Sequence, residues 1–146
     1  MPLSIKDFKA ARKTAKFTYP GHPEFNVELA FLPNSEWQAV RRECVRLEYD
    51  KKHQMIEVLD ENKWMARFTE NVFVNWEGLT FGTLLKLAPV EFHGSATVTD
   101  DSPVPFSPEF AQLLMTESRE FAEWVMAVQD SYENFVSSSR EVTVKN

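Results

Sequence analysis

Alternating apolar and polar positions mark the first strong element along the chain. The apolar positions of this stretch are Phe25, Val27, Leu29 and Phe31. A period of two residues is typical of a half-buried β-strand, because successive side chains point to opposite faces. Pro20 and Gly21 predict a turn before this strand, so residues 16–19 are the expected partner strand of an antiparallel hairpin.

A helix is predicted next, starting near Ser35, which is a common capping residue. Its apolar residues recur every three or four positions and are Trp37, Val40, Cys44 and Leu47. This spacing places them on one face of a helix. Within that face, Cys44 is expected to be a buried small hydrophobic residue rather than a reactive thiol.

A second helix is predicted over roughly residues 60–74. Its apolar stripe consists of Trp64, Met65, Phe68 and Val72, extended by Phe73 and Trp76. Gly78 is the expected end of this helix, because glycine adopts the left-handed conformation at little cost.

The last third of the chain contains the clearest helix start. Ser107 is a capping residue, Pro108 occupies the first helical position, and Glu109 complements the positive end of the helix dipole. A final amphipathic helix is predicted over residues 118–136. Its apolar stripe is Phe121, Trp124, Val125, Val128, Tyr132 and Phe135.

Three stretches have weaker patterns. Residues 4–15, with Ser4 and Asp7 as a capping box, fit a short basic helix or a mobile arm. Residues 80–104 fit a short strand or irregular packing followed by an exposed loop. The polar stretch 137–146 predicts a disordered C-terminal tail.

Together these patterns predict one α+β domain over residues 1–136. It is predominantly helical, with four to five helices and an N-terminal antiparallel β-hairpin. A length of 146 residues, with 43% apolar and 13% aromatic residues, provides enough material for one hydrophobic core. Cys44 is the only cysteine, which excludes an intramolecular disulfide. No apolar run approaches the roughly 18 residues of a membrane span, and a cytosolic protein is expected.

The charge is acidic overall and uneven along the chain. A formal net charge of −6 argues against nucleic-acid binding. Residues 1–16 carry five Lys and Arg against one acid, whereas residues 100–146 carry nine acids against three Lys and Arg. This asymmetry has two interpretations: solvated helix faces, or a head-to-tail contact between copies of the chain.

No set of residues typical of catalysis or metal binding is visible in the sequence. His22, His53 and His93 fall on a predicted turn, a helix end and a loop. Their spacing fits no metal site, and the chain has no zinc, dinucleotide or phosphate-binding motif. We therefore expect a protein that is not an enzyme, with no catalytic, cofactor-binding or metal-binding residues.

The order of several phrases resembles the tail assembly chaperones of long-tailed bacteriophages. The order is FNVELAFLP, a helix with Arg41 and Arg42, ENVFVNWEGLT, VPFSPEFAQLL and a closing aromatic helix, EFAEWVMAVQDSYENF. In that family a W-x-G phrase ends a helix, and a phrase close to PFS-x-E followed by LL opens the last helical pair. The matching positions here are Trp76, Gly78, Pro105, Phe106, Ser107, Glu109, Leu113 and Leu114. The resemblance covers about residues 20–136, although the segment between Gly78 and Pro105 is longer than in the family pattern.

The resemblance implies a non-catalytic chaperone in the host cytoplasm that is not part of the mature virion. Such proteins keep the tape measure protein soluble until tail tube subunits polymerise around it. In many members a frameshifted, longer form recruits the tail tube protein, and self-association into a homo-oligomer is expected. Neither nucleic acid nor a membrane is an expected partner.

A chaperone of a long helical client needs exposed apolar surface, and this chain has many aromatic residues for one small core. The residues predicted to bind protein are Trp76, Phe106, Phe110, Trp124 and Tyr132. The alternative is that all five belong to the core. A structural virion component, such as a head–tail joining or tail-terminator protein, is the rival interpretation of the whole chain.

Overall fold

The computed structural model describes residues 2–9 and 11–136. Within them, the strands are β1 (Thr14–Thr18), β2 (Asn26–Ala30), β3 (Val45–Tyr49), β4 (Met55–Leu59) and β5 (Phe73–Glu77). The helices are α1 (Asn34–Glu43), α2 (Glu61–Val72), α3 (Phe81–Leu87), α4 (Pro108–Glu117) and α5 (Arg119–Gln129), and residues 132–136 are again helical. This combination of helices with antiparallel sheets confirms the α+β class. The predicted disordered tail, residues 137–146, lies outside the described residues.

A three-stranded antiparallel sheet in the order β1-β2-β5 forms the centre of the domain. The predicted N-terminal hairpin is its β1–β2 pair, and β1 begins two residues earlier than the sequence indicated. Val27 and Leu29 of β2 are fully buried, whereas Glu28 between them is only half-buried. The alternation in the sequence therefore corresponds to an inner and an outer face of this strand.

Helices cover the inner face of the sheet. Phe68 and Val72 of α2, Leu114 of α4, and Phe121 and Val125 of α5 are fully buried in one cluster with the inner side chains of β2. α1 packs on α2, where the Trp37 ring meets Trp64 and Phe68 edge-on. The core therefore lies between the three-stranded sheet and the helical layer.

The predicted helix over residues 60–74 is wrong at its C-terminal end. The helix stops at Val72, and residues Phe73–Glu77 form β5, which pairs with β2. Trp76 therefore lies on a strand, opposite Val27. Gly78 has the expected positive φ of 80°, but it follows a strand and does not end a helix. Pairing with a distant strand outweighs the helical spacing of this segment.

The first predicted helix is also shorter than expected. It ends at Glu43, and Leu47 lies in β3, which pairs with β4 in a second, two-stranded antiparallel sheet. The connecting turn is closed by the Asp50 carboxylate, which accepts hydrogen bonds from the N–H groups of Lys52 and Gln54 at 2.8 and 2.9 Å. Residues 45–59 are thus a hairpin that the sequence analysis missed.

The predicted start of α4 is confirmed. The Ser107 hydroxyl accepts a hydrogen bond from the N–H of Phe110 at 3.1 Å, and Pro108 occupies the first helical turn. The predicted final helix is interrupted, because α5 begins after the cap Ser118 and ends at Gln129, before the helical residues 132–136. The undecided segment 80–104 contains α3.

The N-terminal capping box is also confirmed, but the helical part is short. Around a single 3-10 turn, Ile5–Asp7, the Asp7 carboxylate accepts a hydrogen bond from the N–H of Ser4 at 3.0 Å, and the Ser4 hydroxyl accepts one from the N–H of Lys6 at 3.4 Å. Residues 8–9 and 11–13 have no regular secondary structure, so of the two expectations for residues 4–15, a short basic helix or a mobile arm, the helix is limited to this one turn among the described residues.

We expect Gly78→Ala to lower the free energy of unfolding more than Gly21→Ala. Both glycines have positive φ, 80° and 84°, so alanine at either position costs about 1–2 kcal/mol of backbone strain. Only at Gly78 would the new Cβ overlap other backbone, since it would lie 1.6 Å from the carbonyl O of Glu24; nothing lies within 4 Å at Gly21. Urea unfolding of both variants measures the difference. Equal losses would show that the backbone contact between Gly78 and Glu24 does not hold this turn.

Candidate protein-interaction surface

Trp76, the first of the predicted protein-binding residues, lies in the core and is 5% exposed. Its indole N–H donates a hydrogen bond to the carbonyl O of Val104 at 3.0 Å. The N–H of Val104 in turn donates to the carbonyl O of Leu79 at 2.8 Å. Trp76 thus fastens the end of the loop after α3 to the sheet, and its ring is not presented to a partner in this structure.

Phe106 and Phe110 lie at the start of α4 and are half-buried. The Phe106 ring meets the ring of Trp76 edge-on, with centroids 5.0 Å apart. Phe110 packs against the edge of the core from the first turn of the helix. The structure therefore brings Phe106 and Trp76 together, and both Phe rings keep part of their surface exposed.

Trp124 and Tyr132 have other ring partners. Trp124 is half-buried on α5 and meets Tyr19 edge-on at a centroid distance of 5.0 Å. Tyr132 is 44% exposed, and its ring lies 5.0 Å from the ring of Phe31. The five predicted residues thus range from buried to exposed, and their ring contacts tie them to different parts of the domain.

Most aromatic rings of the described residues are enclosed or half-enclosed. The exposed ones are Phe8, Tyr49, Phe92 and Tyr132. The expectation of surplus aromatic surface holds mainly for these four, because most of the other rings pack against one another in edge-on, tilted or stacked pairs. Most of the exposed large apolar side chains are aliphatic, and Leu47 and Met55 are among them.

The histidines occupy separate turns and loops. The His22 ring stacks on Tyr19, and its Nδ1 lies 3.6 Å from a carboxylate oxygen of Glu24. His53 lies in the turn of the β3–β4 hairpin rather than at a helix end, and His93 lies in the loop after α3. Across residues 2–9 and 11–136, no group of three or more His, Cys, Asp or Glu side chains is placed to hold a metal ion.

Cys44 is buried, as the sequence predicts, with 2% of its surface exposed. It caps the C-terminal end of α1. Burial raises the pKa of the thiol and is the largest cause; nearby carboxylates also raise this pKa, and nearby cations lower it. A thiol with a raised pKa is a poor nucleophile, which agrees with a packing role for this residue.

Exposed apolar side chains gather on one face of the β3–β4 hairpin. Residues paired directly across an antiparallel ladder share a face. The paired residues on this face are Val45 with Leu59, Leu47 with Glu57, and Tyr49 with Met55. We call this set of six residues the hairpin face. Five of its six residues are apolar. Tyr49 is 69% exposed, Leu47 61% and Met55 57%, so much of this apolar surface is in contact with water.

The hairpin face continues into a groove beside α2. Leu59 belongs to both, and it lines the groove together with Glu61, Trp64 and Met65. The groove has a volume of ≈ 290 Å³. A neighbouring groove of ≈ 320 Å³ between α2 and α4 shares Glu61 and Met65 with it. Apolar surface therefore extends from the hairpin to Trp64 and Met65 of α2, whereas the neighbouring groove is lined mainly by polar side chains.

The opposite face of the hairpin is charged. Arg46 forms ion pairs with Glu48 of the same strand at 2.7 Å and with Asp60 at 3.6 Å. Ile56 and Val58 of β4 share this face, opposite Glu48 and Arg46. The two faces of the hairpin therefore differ: one carries the ion pairs of Arg46 beside Ile56 and Val58, and the hairpin face carries five apolar residues and Glu57.

The sequence does contain a signal for this hairpin. VRLEY and MIEVL alternate on either side of Asp50, a residue that favours turns. Leu47, however, also continues the helical stripe of Trp37, Val40 and Cys44, and the charged residues around it resemble a solvated helix end. For residues 45–49 this spacing favours a helix over the strand that forms.

The comparisons with known proteins add no relative: no family model, characterised protein or solved structure matches this chain. Among the helices of the described residues, none is long and apolar enough to cross a lipid bilayer.

The raised pKa of Cys44 predicts a pH dependence of stability. The unfolded thiol ionises near its ordinary value of 9.0, whereas the folded thiol ionises at higher pH. The contribution of Cys44 is therefore complete below pH 9 and declines as the pH rises through 9 towards the folded pKa, by about 1.4 kcal/mol for each pKa unit between the states. Urea unfolding of the native protein and of Cys44→Ala at pH 7 to 10 measures it. A stability difference that stays constant over this range would contradict the prediction.

Proposed function

We propose that this protein is a non-catalytic tail assembly chaperone that binds the tape measure protein and keeps it soluble for tail tube polymerisation. The observation that carries the proposal is the hairpin face with its adjoining groove. This surface leaves Leu47, Tyr49 and Met55 in water at a folding cost. Exposed apolar patches of this kind mark sites where proteins bind other proteins. The order of sequence phrases that resembles the chaperone family supplies the identity of the client.

The dimensions of the hairpin face suit a helical client. A strand of five residues is about 17 Å long, and a helix repeats its apolar stripe every ~5.4 Å. The face can therefore contact about three successive turns of an amphipathic helix. The groove lined by Leu59, Trp64 and Met65 extends this contact beyond the hairpin.

The energetics favour weak and repeated binding. Burying Leu47, Tyr49 and Met55 supplies about 1.5–3 kcal/mol for each side chain at most, while association costs at least several kcal/mol. One hairpin therefore binds weakly, whereas copies that associate with one another along one long client bind it firmly. Weak individual contacts also allow tail tube protein to displace the chaperone during polymerisation.

The five predicted aromatic residues differ in how they would contribute to client binding. Tyr132 and the half-buried Phe106, Phe110 and Trp124 offer additional contact surface. Trp76 supports Phe106 from within the core. The rest of the proposal follows from the family resemblance: a host-cytoplasmic protein, self-association, and recruitment of tail tube protein by a frameshifted form.

We expect Met55→Lys to reduce the soluble fraction of the tape measure protein from the same genome on co-expression. The substitution places a charge on the hairpin face at its turn end, opposite Tyr49. Ile56→Lys is the matched control, because Ile56 is the next residue of β4 and points to the charged face opposite Glu48. Centrifugation and densitometry measure the soluble client, and thermal unfolding verifies that both variants are folded.

Equal solubility of the client with both variants would contradict a role for the hairpin face. Mass spectrometry of purified phage particles tests the class of protein. A chaperone is missing from the particles, whereas a head–tail joining or tail-terminator protein is present in fixed stoichiometry. Finding the protein in the particles would replace the proposal with that structural role.

A further inference from the structure

The outer edge of β3 carries backbone groups that point away from its partner strand. Among the described residues, β3 pairs only with β4. The N–H of Asp50 donates to the carbonyl O of Gln54 at 2.9 Å, and that of Asp60 to the carbonyl O of Cys44 at 2.8 Å. Because hydrogen-bonded pairs alternate along an antiparallel ladder, every second residue between these two pairs faces outwards. The outward-facing residues of β3 are Val45, Leu47 and Tyr49.

β3 is complementary to itself when two copies run antiparallel around Leu47. Leu47 then lies opposite Leu47 of the second copy, and Val45 lies opposite Tyr49. These are the residues whose backbone groups face outwards, so each pair forms two hydrogen bonds between the strands. In the same register Arg46 lies opposite Glu48 of the second copy, and symmetry repeats this ion pair.

In other registers the outward-facing backbone groups and the opposite charges are not paired at the same time. A pairing centred on Arg46 or on Glu48 places two like charges directly opposite each other, which is destabilising. An antiparallel pairing between two β4 strands over all five residues also brings like charges together, because Glu57 lies opposite Glu57 of the second copy. The backbone pattern and the charge pattern therefore select the same register, around Leu47 of β3.

We infer that β3 binds β3 of a second copy of this chain, which joins the two hairpins into one four-stranded antiparallel sheet. The order of the strands is β4-β3-β3-β4. Arg46 and Glu48, which pair within one strand at 2.7 Å, then form an alternating cluster of four charges with the second copy. The contact is limited to one strand from each chain, so the dimer dissociates on dilution. This inference specifies a contact for the self-association named in the proposed function, but it is argued from the edge of β3 alone and does not rest on the identity of the client.

Dimerisation through this edge leaves the hairpin face open. The two faces lie side by side on the same side of the joined sheet, because Val45, Leu47 and Tyr49 of both copies point the same way. The dimer thereby doubles the continuous apolar surface. A client that contacts both hairpins is held by two linked sites.

Charge reversal tests the proposed register. Sedimentation velocity of the intact chain over a range of concentrations, at low salt, measures the dimer Kd. We expect Arg46→Glu and Glu48→Arg each to raise the Kd by about tenfold or more, since each places two pairs of like charges across the contact. The double variant Arg46→Glu/Glu48→Arg restores the dimer. An equimolar mixture of the two single variants also restores it, because their charges are complementary.

Arg42→Glu is the matched control, because Arg42 is exposed on α1 and the charge change is the same. It should leave the Kd unchanged. A chain that stays monomeric at every concentration would overturn the inference. Single variants that dimerise normally, or a double variant that stays weakened, would also overturn it, because the pairing of Arg46 with Glu48 would then be absent.

Hydrogen exchange of the unmodified protein provides a second test that needs no variant. At concentrations that favour the dimer, the amides of Val45, Leu47 and Tyr49 should exchange more slowly than in the dilute monomer. The amides of Arg46 and Glu48 already bond within the hairpin and should not change. Slower exchange along β4 instead would show that the other edge forms the contact.

The two proposals fail separately. Met55→Lys alters the hairpin face and leaves the β3 edge intact, so it reduces client solubility without changing the dimer Kd. Arg46→Glu weakens the dimer without removing any apolar side chain from the hairpin face. A protein that dimerises but does not solubilise the client would overturn the proposed function alone.

Discussion

The domain depends on the packing of one side chain, Phe121, against the sheet. The ring is fully buried. It contacts the rings of Tyr19, Phe25, Phe73 and Trp124 at centroid distances of 5.6, 6.1, 5.9 and 5.8 Å. These partners belong to the turn after β1, the start of β2, β5 and α5. A single ring therefore joins segments that are far apart in sequence and fixes α5 on the sheet.

The position of the hairpin follows from this packing. With α5 in place, the amide of Gln129 donates to the carbonyl O of Ala30 at 2.7 Å and accepts from the N–H of Leu32 at 3.0 Å. It thereby secures the point where the chain leaves β2 for α1. The base of the hairpin lies between Cys44 and Asp60, where the N–H of Asp60 donates a hydrogen bond to the carbonyl O of Cys44. Its base is held by the body of the domain while its apolar face stays in water.

The sequence predicted those features that depend on neighbouring residues alone, such as the start of a helix. The Ser107 cap with Pro108 behind it defined the start of α4, because both act within one helical turn. Residues 73–77 become a strand only because β2 is beside them, and no local pattern reveals that partner. The candidate surface was missed for a related reason. Large aromatic rings pack effectively against a core, so of the five predicted aromatic residues one is buried, three are half-buried and only Tyr132 is exposed, whereas the exposed face is built around Leu47 within a charged segment.

The hairpin separates two kinds of recognition in the same short segment. Backbone groups at the strand edge lie in the plane of the sheet, whereas side chains project perpendicular to it. Pairing between strands uses the backbone groups in the plane of the sheet, and contact with an apolar helix uses the side chains perpendicular to it. Arg46 and Glu48 are excluded from the apolar face by the period of two, so they set the register of an edge contact without placing charge against a client. One hairpin can therefore bind a copy of the chain and a different protein at the same time, because neither contact covers the atoms that the other needs.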